Sequence, residues 1–446
     1  MAIHPQSCES TLSSLELFQT PPSHISTEFS KYIEHNSTTT LDRTPTIEFK
    51  ISSDDSEYLD FSQSFLYLRC RITAKTGGDL KAVTSNTDNT VPDRSIVFPV
   101  NYAVASIFKQ VEIYLAGQLV SSNDTMYPYR AMLETLLSYS KDVKSEFLQA
   151  GGYYPETFDL DNRAGVVGDD TSAVNPSAIQ RFNRTKFGAP FELLGRIHSD
   201  FTAQGRYLPG KVGLTVKLHR HQTEFLLMAE TDTDYILHIE KASFFVKHDT
   251  ITPSIREAHI LKWEKDTIKY PIRKTKMVWF TNSAGKDDLS TQRLCEGQLP
   301  SRVVLAFVKS AAFNGNLKLN PFNFIHSSIR SVVLRVNGRA IPFDSLDVDF
   351  EQNRFLQAYL LLYQGTDSLY TDKSCGITPE QYKNGHTLFC YDLETNSTPG
   401  EMSLIKEGVV SAEIKLSKAT TDSVTLVAYL EYQDMIEIDS EYKVLE

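Results

Sequence analysis

Pro99-Val100-Asn101-Tyr102 leads into a run carrying Val111, Ile113 and Leu115, a turn at Gly117 and a return at Val120. Far downstream, Pro321-Phe322-Asn323-Phe324 leads into Val332, Leu334 and Val336, a turn at Gly338 and a return at Ile341. The spacing is 222 residues at the Pro-x-Asn-aromatic element (99 to 321) and 221 at the turn (117 to 338), so one gap aligns the two stretches. Any two β-domains share strand-turn-strand segments, and the hairpin alone decides little. The segment after each hairpin decides more: Arg130, Met132, Leu136 and Leu137 match Arg354, Leu356, Leu360 and Leu361, on helical spacing, in a chain where such spacing is sparse. The order and kind of elements recur, which indicates two related domains in tandem.

Outward from these hairpins the pattern is two-residue alternation. Ile47, Phe49 and Ile51 alternate with mostly polar neighbours; Leu66, Leu68, Cys70 and Ile72 alternate with Tyr67, Arg69 and Arg71. Val212, Leu214, Val216 and Leu218 continue the theme, as do Leu237 and Ile239. Successive side chains of a strand point to opposite faces, so these are half-buried strands. Gly77-Gly78, Ala116-Gly117 and Pro209-Gly210 punctuate them, and no βαβ alternation is present. The fold class is all-β: two tandem eight-stranded jelly-roll β-sandwiches with short accessory helices, a double jelly roll. Helices are expected at Tyr129 to Tyr139 and Asn353 to Leu362.

The layout follows from composition along the chain. Residues 1–44, rich in Ser and Thr with Pro21-Pro22, read as an N-terminal arm with a short helix around Ser26 to Glu34. Residues 45–250 form the first jelly roll, and 251–267 a linker with a weak amphipathic helix, Ser254 to Lys265. Residues 268–446 form the second jelly roll with a C-terminal tail. Lys141 to Lys186, with Gly151-Gly152, Gly168-Asp169-Asp170 and Asn175-Pro176 and little periodicity, is expected to be a large exposed excursion.

Composition excludes several classes. The 446 residues are 41% hydrophobic and 23% charged, which is globular and not disordered. The net charge of −11 argues against a protein whose task is to grip nucleic acid. No apolar run is long enough to span a bilayer, and the N-terminus has no secretory signal pattern, so no membrane span and no secretion are expected. Cys8, Cys70, Cys295, Cys375 and Cys390 are widely spaced without a Cys-x-x-Cys pair, which speaks for isolated thiols over a zinc site or disulfide framework. The sequons at Asn36-Ser37-Thr38 and Asn123-Asp124-Thr125 would matter only in a secreted protein.

A search for chemistry yields no catalytic, cofactor-binding or metal-binding residues. Gly77-Gly78 and Gly151-Gly152 lack the Lys-Ser/Thr and helix of a phosphate loop, and neither a Gly-x-Ser-x-Gly elbow nor a His-Glu-x-x-His helix occurs. His219 and His221 share a strand face and could meet one metal, yet no third ligand lies nearby in sequence, and a solvated strand end is the plainer reading. Asp159, Asp161, Gly165 and Asp170 faintly imitate a calcium loop, but Arg163 stands where an oxygen ligand is needed; with Asp169 they read as a solvated acidic loop. Arg273-Lys274-Thr275-Lys276 reads as a wet strand face, and Trp263 and Trp279 as packing anchors.

One resemblance organises these observations. Gln298-Leu299-Pro300-Ser301-Arg302, Ala312-Phe313-Asn314-Gly315, Asn320-Pro321-Phe322-Asn323-Phe324 and Tyr382 to Phe389 stand in a recognisable order. So do Glu431-Tyr432, Ile436-Glu437-Ile438-Asp439 and, earlier, Leu208-Pro209-Gly210-Lys211-Val212 with Lys217-Leu218 and Arg220. Together they resemble the major capsid (hexon-like) protein of Polinton/Maverick elements and adintoviruses, a branch of the double jelly-roll capsid proteins also found in adenoviruses, virophages and large eukaryotic DNA viruses. The resemblance covers residues 45 to 440 and is strongest from Tyr270 onward; the arm and Lys141 to Lys186 match nothing in it.

The resemblance implies a non-enzymatic subunit of a virion capsid, assembled inside the host cell. It implies a homotrimer forming pseudo-hexagonal capsomers, trimer–trimer contacts in an icosahedral shell around a double-stranded DNA genome, and a single jelly-roll vertex (penton) protein as partner, with no sequence-specific nucleic acid binding. It also places the 141–186 excursion on the outer surface, while the arm is left to tether neighbours or to face the interior. The alternative from architecture alone is a tandem β-sandwich carbohydrate-binding protein or hydrolase, which would need a concave pocket with convergent carboxylates or stacked aromatics.

Overall fold

Alternation in the sequence becomes alternation in burial. In the computed structural model, Leu66, Leu68, Cys70 and Ile72 are all at most 2% exposed, while Arg69 between them faces solvent. The structure describes all residues except 1–5, 7–9, 11, 19, 42–43, 76–79, 81–95, 122–124, 157–159, 162–174, 230–233, 395–401 and 446, and the side chains of 288–291.

The strands of the first half are β1 (Thr27–Asn36), β2 (Thr46–Ile51), β3 (Glu57–Ala74), β4 (Val97–Pro99), β5 (Phe108–Leu115), β6 (Gln118–Leu119), β7 (Phe191–Gly195), β8 (Leu208–Pro209), β9 (Leu214–Arg220), β10 (Leu227–Ala229) and β11 (Tyr235–Ile251). One sheet runs β1-β11-β3-β7 with β8 also on β3, a second runs β2-β9-β5-β6, and β4 pairs with β10. Phe49 of β2 meets Phe244 of β11 across the core, with ring centroids 6.1 Å apart.

The second half holds β12 (Ile268–Asn282), β13 (Asp288–Gln298), β14 (Arg302–Lys309), β15 (Ile329–Val336), β16 (Arg339–Ile341), β17 (Leu388–Asp392), β18 (Glu407–Leu416), β19 (Val424–Ile438) and β20 (Val444–Leu445). Its sheets are β12-β19-β14-β17, with β20 on β19, and β13-β18-β15-β16. With the minor strands β4, β8, β10 and β20 set aside, both halves have the same topology. The first strand pairs with the last, the last with the third and the third with the sixth; the opposing sheet pairs second, seventh, fourth and fifth. That order is a jelly roll, and it occurs twice.

The repeated hairpins also agree in backbone detail. Ala116 and Gly117 join β5 to β6 with φ of 48° and 84°, and Asn337 and Gly338 join β15 to β16 with φ of 51° and 79°. Two positive φ values in a two-residue loop match the right-handed twist of the flanking strands. Asn337 exploits the position further: its N–H donates to the Val409 carbonyl and its Oδ1 accepts from the Val409 N–H, both at 2.9 Å.

Nine helices occur among the described residues: α1 (Ala103–Ser106), α2 (Tyr127–Ser138), α3 (Lys141–Ser145), α4 (Pro176–Thr185), α5 (Thr223–Leu226), α6 (Pro253–Trp263), α7 (Ser310–Phe313), α8 (Leu356–Gly365) and α9 (Pro379–Lys383). α2 and α8 occupy the same slot, between the fifth and sixth strands of their jelly rolls. α8 starts later than its spacing predicts, because Arg354 and Asp349 exchange backbone hydrogen bonds at 2.8 Å and hold a turn there. Arg130 and Arg354 are therefore not equivalent: the first is buried in α2, the second is exposed ahead of α8.

Two expectations need correction. Ser26 to Glu34, read as a helix in the arm, is not helical: Thr27–Asn36 is β1, the first jelly-roll strand, paired with β11 from Thr27↔Ile251 to Asn36↔Ser243. Most of its side chains are exposed on both faces, so it carries no apolar alternation. The described parts of Lys141 to Lys186 are also no exposed excursion. They fold into α3, a 3-10 turn at Phe147–Gly151 and α4, and they bury Leu148, Tyr153, Tyr154, Ala178 and Phe182. Asn175 caps α4 by accepting from the Ala178 N–H, with Pro176 in the first turn.

The strands β14 and β19 depart from alternation in the other direction. Val303 to Val308 are each 0% exposed. Such continuous burial means a sheet covered on both faces. α7 lies against β14 and α8 against β17, and α2 of the first half brings Arg130 and Glu134 close to Tyr429 of β19. Replacing Asn337 by Ala should cost about 1–2 kcal/mol, from the lost side-chain hydrogen bond and the strain of Ala in a left-handed turn. Ala116→Asn should be neutral to stabilising by up to about 1 kcal/mol; chemical denaturation of both variants checks the pair.

Candidate assembly interface

The two jelly rolls are joined by a cluster of polar groups in which Arg130, His198 and Asp200 are buried and Glu134 is half-buried. α2 places Arg130 and Glu134 one turn apart, and the Arg130 Nε–Glu134 Oε1 distance is 2.9 Å. The loop after β7 supplies Asp200, whose Oδ1 lies 2.6 Å from Arg130 Nη2, and His198, whose Nδ1 lies 2.7 Å from Glu134 Oε2. The Tyr102 hydroxyl sits 2.7 Å from His198 Nε2. This first-half cluster then crosses to the second half: the Thr275 N–H on the open edge of β12 donates to Asp200 Oδ1 at 3.0 Å. Burial alone would raise the Glu134 carboxyl, but Arg130 and His198 outweigh it and hold it at about 2.

A second connection uses the repeated Pro-x-Asn-aromatic elements. Asn101 donates to the Tyr154 carbonyl at 2.7 Å and accepts the Tyr154 N–H at 2.8 Å. Its counterpart Asn323 donates to Asp161 Oδ2 at 2.9 Å. The same insertion is thus held from both jelly rolls by the same residue of each repeat. Beside it Arg181 of α4 pairs with Glu156 at 2.5 Å, and Asn320 Nδ2 donates to the other oxygen of Glu156 at 3.0 Å. Paired and hydrogen-bonded in this way, ions can stay buried at tolerable cost.

An aromatic seam completes the junction. Tyr129 stacks on Phe313 with centroids 5.5 Å apart and meets Phe322 edge-on at 5.7 Å, and Phe225 packs on both Tyr129 and Phe322. Gly315, with φ of 96°, lets this loop approach: a Cβ there would lie 2.6 Å from the Gln222 amide and 3.2 Å from the Phe225 nitrogen.

The residues singled out from sequence fall into structural duties. His219 Nδ1 contacts Thr46 Oγ1 at 2.9 Å, and Nε2 is 3.3 Å from Glu112, while His221 stacks on Phe225 at 3.9 Å; neither is the solvated strand end expected. Arg273 pairs with Glu431 and Lys274 with Asp434, while Thr275 is buried. Trp263 donates to the Ile438 carbonyl and packs on Tyr442, whereas Trp279 is half exposed against Phe313. Asp159, Arg163, Gly165, Asp169 and Asp170 lie outside the described residues. No group of three or more metal-ligating side chains occurs among the described residues.

Outside the junction, apolar side chains stand in solvent. On the first jelly roll exposed Tyr32 heads a ladder with half-buried Phe65, Phe245 and Tyr67, neighbouring centroids lying 5.0–6.5 Å apart. On the second, Leu356 and Leu360 share a face of α8 and are 62% and 42% exposed, with Phe343 and Tyr370 also exposed. A cleft of about 970 Å³ lies under α6, lined by Tyr58, Tyr207, Trp263 and Tyr442 among others. Of its three carboxylates, Asp55 and Asp266 are committed to Lys211 and Lys269 at 2.7 and 3.3 Å, and Glu264 is the third.

Arg130→Ala strands Asp200 and Glu134 and should cost about 3–5 kcal/mol in chemical denaturation. Because Glu134 is held below its ordinary value of 4.5, its contribution is complete above that pH and drains as pH falls toward 2. Glu134→Gln should flatten that part of the stability–pH profile.

No family model matches the chain. An uncharacterized protein of Caenorhabditis elegans is 25% identical over 402 residues, covering 88% of this chain and 91% of that one. Among solved structures, a chain from the cryo-EM structure of the Sputnik virophage matches with a TM-score of 0.65 at 12% identity, covering 100% of this chain and 94% of that chain. The Faustovirus major capsid protein matches with a TM-score of 0.57 at 9% identity, covering 94% and 92%. The mavirus major capsid protein matches with a TM-score of 0.54 at 9% identity, covering 100% and 96%. Two jelly rolls of identical strand order, fastened by a buried junction and superimposable along their full length on these proteins, give the chain the double jelly-roll fold of viral major capsid proteins.

Proposed function

We propose that this chain is a major capsid protein, a structural subunit that trimerises into pseudo-hexagonal capsomers of an icosahedral shell around a double-stranded DNA genome. The observation that carries the reading is the twofold jelly roll locked into one rigid block, a fold shared end to end with viral capsid proteins. Geometry gives the duplication a purpose. Three copies of a two-domain block present six similar flanks, which is what hexagonal packing requires.

The half-buried aromatic ladder headed by Tyr32 on the first jelly roll and the apolar edge of α8 on the second are the surfaces we assign to contacts between copies. The net charge of −11 fits a shell component without sequence-specific grip on DNA. The motif order favours the Polinton/Maverick and adintovirus branch, and a nearly full-length relative in a nematode fits a genome-borne element. A single jelly-roll vertex protein is the partner this reading requires, with assembly inside the host cell.

The competing reading, a carbohydrate-binding protein or hydrolase, rests on the aromatic cleft under α6. Its support is weaker because two of the three carboxylates there, Asp55 and Asp266, are paired with lysines, which leaves Glu264 without the second carboxylate such chemistry needs. Light scattering on the purified protein should give three times the 50.4 kDa chain mass and persist on dilution, and electron microscopy should reveal pseudo-hexagonal particles. A strictly monomeric species, or saturable sugar binding in the α6 cleft, would sink the proposal.

A further inference from the structure

Lys144 of α3 is 5% exposed, and its ammonium is held by two carbonyl oxygens, Leu136 near the C-terminus of α2 and Cys375 of the second jelly roll, both at 2.6 Å. No carboxylate among the described residues lies within ion-pair distance of it. An ammonium has three donors, so one is left over, and a buried cation without a counter-ion is costly. Burial draws this lysine down to about 8, which leaves it mostly charged at neutral pH.

The lysine borders a cavity of about 430 Å³ between the halves, lined by Leu136, Pro155, Ile377 and His386 and also by Glu156 and Glu380, whose carboxylates are engaged by Arg181 and by the Asn384 amide. His386 is 7% exposed, and its Nδ1 is buried without a hydrogen-bond partner. Burial and the neighbouring Lys144 push its imidazole down to about 4, so it is neutral. A neutral imidazole can present N–H at Nδ1 and donate to an anion. The cavity is of the size that takes small organic ligands, with apolar walls and a few polar groups to orient them.

We propose that this cavity binds a small organic anion whose carboxylate or phosphate head sits between Lys144 and His386 and whose apolar body lies against Leu136, Pro155 and Ile377. Such a ligand would supply the missing counter-ion, satisfy both orphaned groups and fasten the insertion of the first jelly roll to the second. The site does not depend on the capsid reading.

Calorimetric titration of the full-length protein at neutral pH tests it with three probes: octanoate, octanol and inorganic phosphate. Octanoate should bind saturably at one site per chain, and octanol about tenfold or more weakly, since losing one partner of a buried charge pair is that costly. Lys144→Met should weaken octanoate by a similar factor. His386→Leu, which leaves the lysine in place, should also weaken it and keeps the test open if the first variant misfolds. No saturable octanoate binding, equal binding of octanoate and octanol, or equal octanoate affinity in both variants and the parent would overturn the proposal. Phosphate binding as tightly as octanoate would overturn the role given to the apolar walls.

Discussion

The Arg130 guanidinium, buried between Glu134 and Asp200, ties the architecture together because the same Asp200 oxygen also receives the Thr275 N–H from the second jelly roll. Two β-sandwiches joined only by a linker would move independently, since interfaces between domains are ordinarily small and polar. Here the buried Arg130–Asp200 pair must keep its geometry or leave charges unpaired, which is the costlier outcome. One donor on the open edge of β12 is thereby taken up by the neighbouring domain.

The insertion after α2 serves the same end by other means. Asn101 and Asn323 stand at the same point of the two repeats, and each reaches into residues 154–161. Duplication produced two copies of one side chain, and the folded chain uses both to clamp one segment. The aromatic seam of Tyr129, Phe225, Phe313 and Phe322 then fills the space between, and Gly315 permits the approach.

Some of the chemistry looked for in the sequence was absorbed by this structural work. Arg273 and Lys274 neutralise Glu431 and Asp434 along a strand pair, and His219 bridges Thr46 and Glu112. Residues that did matter at the junction come from separate stretches, Arg130 and Glu134 on α2, His198 and Asp200 after β7, and Glu156 and Arg181 in the insertion, and together form no motif. A faint signal existed for the central sheet: Val303-Val304-Leu305-Ala306-Phe307-Val308 is an unbroken apolar run, unlike the alternating strands around it, and it is buried on both faces.

The sequence by itself determined the all-β class, the duplication, the hairpin turns and the helix beyond each of them, because these are set by periodicity and local backbone preference within a few residues. It did not disclose β1, an edge strand whose mostly exposed side chains carry no alternation, nor the burial of Leu148, Tyr153, Tyr154, Ala178 and Phe182 in the described parts of the 141–186 insertion, which reads as loop. Both depend on partners more than a hundred residues away: β11 for the strand, and the second jelly roll for the insertion. Burial and ion pairing are settled by whatever a side chain meets in space, so only the tertiary structure could decide which charges are solvated and which hold the two halves together.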